Sequence, residues 1–397
     1  MKIVSVDPFY LRMPEITSAA DGTQDTLLVR IQTDEGIEGW GECDASPLVS
    51  IAVYCCPMSH GNIINIRTSL IGETLDSPED ILRLSAKVLR NGLDIQQIHH
   101  AYSGAEIALW DIMGKKLEKP IYSLLAEMTD TPQKSHPKLP YASVLFGDTP
   151  EDTYQIANGL QEKGYQAAKF GWGPMGKHGE ENDIALVRAA REGMGSDNQI
   201  MIDAGVVWGT DYETAFDRAA VFSEFSPTWL EEPLAPDAVD AYRSLKSKNP
   251  TLSIAAGEGS STYRMAEDII VNGDIDYVQI DAGRIGGIYH SFQVRLLAEQ
   301  NSIQYVNHTF KSHLSLAAAL HVFATNPDFN LLEYPAAGSE LSDCIVKNPF
   351  QIDSDGLVRL KDKPGLGVEV DIEGIKLYYK PVRIHVDSET ILDQPSL

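Results

Sequence analysis

Gln199-Ile200-Met201-Ile202-Asp203, Thr228-Trp229-Leu230-Glu231-Glu232 and Ser253-Ile254-Ala255-Ala256-Gly257-Glu258 are three short apolar runs, each closed by a carboxylate. Runs of this length between turn-formers read as strands buried on both faces, as in a parallel sheet, and the segments between them carry helical periodicity. Asp203, Glu231 and Glu258 then fall at the carboxyl ends of successive parallel strands. In a β/α barrel that end carries the chemistry, and three acids converging there repel one another unless a cation joins them. Their donors are all oxygen, which suits Mg²⁺ better than Zn²⁺.

Working outward, similar runs recur at Tyr141–Phe146, Ala167–Gly171, Tyr277–Gly283, Ile303–His308 and Asn330–Pro335. With the first three they make eight, each spaced to admit one helix before the next, which fits a β/α barrel better than an open sheet. A doubly wound dinucleotide fold would need a Gly-x-Gly-x-x-Gly turn after its first strand, and none is present. Gly283-Arg284-Ile285-Gly286-Gly287 reads as a tight strand-to-helix turn, with phosphate binding the lesser option. Before the barrel, Lys2–Leu11, Thr26–Thr33 and Gly36–Gly41 alternate like antiparallel strands, and Ser103–Lys115 is a helix with a strong apolar face. Three prolines among polar residues at Thr129–Pro140 suit a linker. The expected organisation is an α+β capping domain over residues 1–133, a (β/α)₇β barrel over 134–347, and a tail over 348–397 that returns to the first domain.

The formal charge of −25 and pI near 4.7 argue against nucleic acid or an anionic membrane as partner. Cys43, Cys55, Cys56 and Cys344 form no C-x-x-C, and adjacent Cys55-Cys56 is poor disulfide material, so free thiols in a cytoplasmic protein are expected. Nothing resembles a leader or a membrane span.

The final residues of the putative strands supply Lys169, Asp203, Glu231, Glu258, Asp281, His308 and Glu333. Any one acid could be a salt bridge inside a barrel mouth; together at strand ends they favour metal binding. Asp281 and His308 lie on neighbouring strands, so the carboxylate can hold the Nδ1 proton and leave Nε2 to exchange a proton with substrate. A core histidine is the bland alternative, and His313 is a rival base. Lys169 can neutralise a substrate anion or, with a lowered pKa, act as a base. Glu333 can stay protonated in an acidic site and donate to an oxyanion.

These motifs resemble the enolase superfamily, mandelate racemase subgroup. The resemblance rests on Lys169, Asp203-Ala-Gly205, Glu231-Glu-Pro233, Gly257-Glu258, Asp281 with Ile285-Gly286-Gly287, His308 and Leu332-Glu333. Gly39-Trp40-Gly41-Glu42, Ala108-Leu109-Trp110-Asp111 and Pro364-Gly365-Leu366-Gly367 extend it over nearly the whole chain. It implies Mg²⁺ on Asp203, Glu231 and Glu258, and abstraction of the proton α to a carboxylate. His308 with Asp281 is then the base, Lys169 flanks the substrate carboxylate, and Glu333 donates to the enediolate. Many relatives carry a second lysine where this chain has Gly171, which makes a two-base racemase less apt and points to syn dehydration of a sugar acid by His308.

A cycloisomerase of a lactone or anhydro-sugar acid, or an epimerase, is the alternative. A metal-free glycoside hydrolase using Glu231 and Glu258 would leave Asp203, Asp281, His308 and Lys169 idle. The expected partner is a small carboxylate substrate, and a homo-oligomer is expected. Substrate contacts are expected from the loop Ile16–Thr23, through Thr17 and Asp21, from Cys43–Ser50, and from Trp172, Trp208, Phe310 and His313.

Overall fold

A computed structural model describes residues 1–19, 21–44 and 46–397. The alternating segments at the N-terminus form an antiparallel sheet in the order β1 (Ile3–Arg12), β2 (Asp25–Thr33), β3 (Glu38–Cys43). The helix Ile98–Leu117 lies across it, nearly all buried through Gly114. Its contact with β3 explains the glycines of Gly39-Trp40-Gly41. A Cβ at Gly39 would stand 2.2 Å from the Ala108 carbonyl oxygen, and one at Gly41 2.1 Å from that of Gly104. Helix backbone and strand backbone touch there, which only glycine permits. Residues 131–137, where a linker is expected, carry no regular secondary structure.

Eight parallel strands follow: β4 (Leu139–Leu145), β5 (Ala167–Gly171), β6 (Gln199–Asp203), β7 (Leu230–Glu231), β8 (Ile254–Ala256), β9 (Tyr277–Ile280), β10 (Gln304–Asn307) and β11 (Leu331–Tyr334). They pair in the order β10-β9-β8-β7-β6-β5-β4-β11, with one α-helix in each interval, a (β/α)₇β barrel that is nearly closed. The seam lies between β10 and β11. There the Asn307 side chain substitutes for a ladder: its amide nitrogen donates to the Glu333 carbonyl at 3.1 Å, and its oxygen accepts from the Glu333 N–H at 3.0 Å.

The two-residue period of a strand sorts the barrel interior into layers. Tyr141, Ala167, Met201, Trp229, Ala255, Val306 and Leu331 pack as one apolar cluster inside the barrel. Two residues further along their strands stand Ser143, Lys169, Asp203, Glu231, His308 and Glu333, directly above that floor. The apolar layer excludes water beneath, so the polar layer is held from below by packed rings; Trp229 sits 4.8 Å from Tyr277 and 5.5 Å from Tyr141 between ring centroids.

Two contacts tie the first sheet and its helix to the rest. The Glu106 carboxylate accepts from the N–H groups of Ile288 at 2.6 Å and Tyr289 at 3.0 Å, and from Trp110 Nε1 at 2.8 Å. It thus caps the helix Ile288–Gln300, whose first donors are otherwise unpaired. Gly287 has φ +105°, and a Cβ there would meet Glu106 Oε2 at 1.9 Å. The turn at Gly283–Gly287 is therefore shaped around a protein carboxylate. The tail, meanwhile, hydrogen-bonds along β1: Arg12 N donates to the Tyr378 carbonyl at 3.0 Å, and Gln394 Nε2 to the Pro8 carbonyl at 2.6 Å. No disulfide joins Cys43, Cys55, Cys56 and Cys344 to one another. Among the described residues no helix is long and apolar enough to cross a membrane.

Candidate active site

A cavity of about 400 Å³ opens at the carboxyl ends of the barrel strands, under the first domain. Lys169, Asp203, Glu258, His308 and Glu333 line it, and Glu231 lies just beneath, fully buried. Oxygen atoms of Asp203, Glu231 and Glu258 come within 4.8 Å of one another, a set that could hold a metal ion. Glu231 is aimed by two donors: Lys169 Nζ at 2.6 Å on Oε1 and Trp229 Nε1 at 2.8 Å on Oε2. Asp203 Oδ1 accepts from Gly205 N at 2.8 Å.

Burial raises Asp203 to about 7 and Glu231 to about 8, with Lys169 opposing and the neighbouring carboxylates adding to the rise. There is more negative charge here than the buried cations neutralise.

Opposite this cluster, His308 Nδ1 lies 2.7 Å from Asp281 Oδ2, and Asp281 Oδ1 accepts from Gly283 N at 2.6 Å. The second ring nitrogen, Nε2, faces Glu258 Oε2 at 3.3 Å. Burial would lower the His308 pKa, but Glu258, Glu333 and Asp281 raise it to about 10. Glu258 itself is held at about 2: burial opposes ionisation, and His308 and Arg284 outweigh it.

Lys169 stands between two carboxylates, 2.6 Å from Glu231 and 2.8 Å from Glu333. Burial alone would favour the neutral amine, yet these partners raise it well above its ordinary value, so it is an ammonium ion. Of the two expectations for Lys169, charge neutralisation fits this setting and a lowered pKa does not. Glu333 departs from the protonated donor expected of it. Its pKa is lowered, because Lys169, His308 and the Thr309 N–H, which donates at 2.6 Å, outweigh burial.

Gly171, paired with Asp203 across β5 and β6, has a steric reason. A Cβ there would lie 2.8 Å from Asp203 Oδ2 and 2.9 Å from Asp203 Cβ. No side chain enters that position while Asp203 keeps its place.

Of the residues expected to touch substrate, Asp21, Trp172 and Phe310 line the cavity. Trp172, 44% exposed and at φ +55°, lays its ring against Gly205, where a Cβ would be 2.7 Å from ring carbon Cδ2. Thr17 does not line it; its exposed hydroxyl pairs with Gln24. Trp208 is buried against Phe222, and His313 is a buried acceptor for the Phe350 N–H at 3.2 Å, lowered by burial to about 4. Neither faces the cavity.

Sequence reasoning singled out neither Arg284 nor Lys311, and reached Asp44 only as part of Cys43–Ser50. Arg284 Nε donates to Asp44 Oδ2 at 2.5 Å and Nη1 to Glu258 Oε1 at 3.3 Å. Lys311 Nζ lies 3.4 Å from Asp44 Oδ1 and donates to the carbonyls of Gly22 at 2.5 Å and Asp25 at 2.9 Å. A charge-linked chain thus runs from the first domain to the strand end beside His308. Burial works against the Asp44 charge, but Arg284 and Lys311 hold its carboxyl far below the usual range.

Known proteins are similar to this chain over nearly its whole length. A predicted mandelate racemase from Rhodobacter sphaeroides superposes with a TM-score of 0.93 at 42% identity, covering 99% of both chains. The D-galactarolactone cycloisomerase of Agrobacterium fabrum is 28% identical over 369 residues, 89% of this chain and 91% of that protein. The D-galactonate dehydratase of Xanthomonas euvesicatoria pv. vesicatoria is 27% identical over 370 residues, 88% and 90%. The mandelate racemase / muconate lactonizing enzyme N-terminal domain matches residues 2–126, and the enolase C-terminal domain-like family matches residues 153–375. The chain is an enzyme of the lyase or isomerase kind and belongs to the mandelate racemase / muconate lactonizing enzyme family of the enolase superfamily.

Proposed function

We propose that this enzyme abstracts the proton α to the carboxylate of a sugar acid in an Mg²⁺-dependent reaction, and that the outcome is loss of water to a 2-keto-3-deoxy acid. The observation that carries the reading is the Asp281–His308 dyad, 2.7 Å apart, facing three clustered carboxylates across a cavity in which Gly171 leaves no second base beside Lys169.

The residues fit the ion. Asp203, Glu231 and Glu258 offer only oxygen, and their carboxylate atoms gather within 4.8 Å of one another. A bound Mg²⁺ would act as a Lewis acid that stabilises the negative charge developed on the substrate carboxylate. Glu258, whose Oε2 lies 3.3 Å from His308 Nε2, would be one of the residues holding the ion, and its charge would then attract an imidazolium less, which would favour the neutral imidazole as the base.

His308 Nε2 then takes the α-proton while Asp281 holds the proton on Nδ1. The electron pair left behind makes the enediolate, and the Lys169 ammonium balances the added charge at the carboxylate end. The imidazolium next gives its proton to the β-hydroxyl, the enediolate pair forms the Cα–Cβ double bond, and water leaves. The resulting enol tautomerises to the keto acid. Taking and returning the proton at one nitrogen requires both groups on the same face of the substrate, hence syn elimination.

The similarity to a cycloisomerase favours a second reading, in which the β-oxygen leaves within a ring and stays attached to the product. The same residues serve both. Epimerisation needs a base on each face of the α-carbon, and the space at Gly171 is closed to one.

The test incubates the protein with Mg²⁺ and aldonic, aldaric and anhydro-sugar acids in D₂O, followed by NMR. Deuterium at the β-carbon-derived methylene with loss of water supports dehydration; ring opening without loss of water supports cycloisomerisation. No reaction with any acid, or activity unchanged by EDTA, overturns the proposal.

A further inference from the structure

We infer, resting on the Mg²⁺ reading just proposed, that Asp44 of the first domain is a positioning residue for the ion site: by holding Arg284 it keeps that guanidinium from closing on Glu258. Asp44 directly follows β3 and grips the turn after β9 at two points. Its N–H donates to the Gly283 carbonyl at 3.1 Å, and its Oδ2 accepts from Arg284 Nε at 2.5 Å. The approach is close enough that a Cβ at Gly283 would stand 3.0 Å from Asp44 N and 3.0 Å from Asp281 Oδ1. On its other side the turn is tied to Asp281, whose carboxylate accepts from Gly283 N at 2.6 Å and whose carbonyl accepts from Arg284 N at 3.1 Å.

Arg284 stands among three carboxylates, and the distances rank them. Nε is 2.5 Å from Asp44 Oδ2 and 4.0 Å from Asp281 Oδ2, while Nη1 is 3.3 Å from Glu258 Oε1 and 3.2 Å from the Glu258 carbonyl. A strong charge-assisted pair spans about 2.7–2.9 Å. Asp44 therefore takes the strong bond, and the bond to Glu258 is a long one. Lys311 Nζ, 3.4 Å from Asp44 Oδ1, steadies the carboxylate from the other side.

Asp44, Asp281 and His308 also bring donor atoms within 4.8 Å of one another, but there the guanidinium is already the cation. Among the described residues, Glu258 is the one member of the Asp203–Glu231–Glu258 cluster within ion-pair reach of Arg284. Without the Asp44 carboxylate, Glu258 is the nearest anion left to it. The planar fork of a guanidinium matches a carboxylate with two parallel bonds, and that pairing would spend on Arg284 the oxygens the ion needs. A residue outside the cluster thus decides which cation Glu258 serves.

The experiment titrates Mg²⁺ by calorimetry into the EDTA-stripped full chain: wild type, Asp44→Ala, Asp44→Asn, Arg284→Gln, and Arg284→Gln combined with each Asp44 change. Loss of a group that orients a metal ligand weakens metal binding by about 10–100-fold, so Asp44→Ala is expected to weaken Mg²⁺ at least about tenfold. Asp44→Asn keeps an acceptor oxygen for Nε without the charge, and its loss is smaller. With Arg284→Gln no guanidinium is left to close on Glu258, and the same Asp44 changes are expected to cost less than about twofold.

A folded Asp44→Ala protein with a smaller loss overturns the inference. So does an equal loss with and without Arg284, which is what removing one negative charge near a cation gives by itself. If Asp44→Ala does not fold, the Asp44→Asn pair carries the comparison, and there no loss or an equal loss overturns the inference too. In each of these cases wild-type Mg²⁺ binding with α-deuterium exchange leaves the proposed chemistry standing; a wild type that binds no Mg²⁺ overturns that reading and this inference together.

Discussion

Replacing Asp281 with asparagine tests the proton chemistry at one atom. Asp281 Oδ1 accepts from Gly283 N at 2.6 Å, and Oδ2 meets His308 Nδ1 at 2.7 Å. In the variant, the amide oxygen must stay with the Gly283 N–H, because an NH₂ group there would set donor against donor. The amide nitrogen then faces Nδ1 and donates to it. The imidazole is forced to carry its proton on Nε2, the nitrogen that has to receive one from substrate. A lost general base costs about 10²–10⁴ in rate, or about 2.7–5.4 kcal/mol at about 1.36 kcal/mol per decade. The assay is deuterium incorporation at the α-carbon in D₂O, with Mg²⁺ binding followed by calorimetry on the same sample. Exchange should fall by at least 100-fold, roughly the lower bound above, while Mg²⁺ binds as before. Exchange within about tenfold of the wild type would refute the role given to the dyad. Loss of Mg²⁺ binding alongside it would show that Asp281 supports the carboxylate cluster instead.

Gly171→Ala places a methyl group 2.8 Å from Asp203 Oδ2, and overpacking of this kind costs about 1–3 kcal/mol in denaturant melts. Mg²⁺ affinity should drop about 10-fold or more, since Asp203 has to move. Glu106→Gln turns an NH₂ group towards the N–H donors of Ile288, Tyr289 or Trp110 and should destabilise the fold by about 1–3 kcal/mol, read by urea unfolding; an unchanged midpoint would dismiss the capping role. Burial holds His313 and His321 at about 4, so between the unfolded value near 6.5 and about 4 the unfolded chain binds protons that the native state refuses. Stability should accordingly fall as pH drops through that window, by up to about 1.4 kcal/mol per pH unit for each histidine, and His321→Gln should flatten the slope.

The barrel and the cluster of side chains at its mouth were legible in the sequence because a strand announces itself locally. Its two-residue period ends in a turn, so the residue at the carboxyl end is identified by position alone, and Lys169, Asp203, Glu231, Asp281, His308 and Glu333 all follow from that rule. Contacts made by loops carry no such period. Asp44 and Arg284 are 240 residues apart and meet only because the first domain sits over the barrel mouth. Trp208 and His313 misled for the same reason. Both lie in segments just past a strand end, but Trp208 turns back onto Phe222 and His313 onto Phe350, a choice made by packing rather than by spacing. The protonation of Glu333 was equally hidden, since it depends on the 2.8 Å approach of Lys169 from a strand two positions away around the barrel.

The close approach of Gly171 to Asp203 also constrains how this chain can change over generations. A side chain at position 171 collides with Asp203 of the central cluster, so the first substitution on a path to lysine weakens the old site before any new activity exists. Backbone movement in β6 would have to come first, and by itself that movement brings no benefit. The two positions are therefore coupled in their mutational effects. A two-base relative and this chain are separated by a fitness valley rather than by a single exchange, and a laboratory search for racemase activity should start from libraries that vary both strands together.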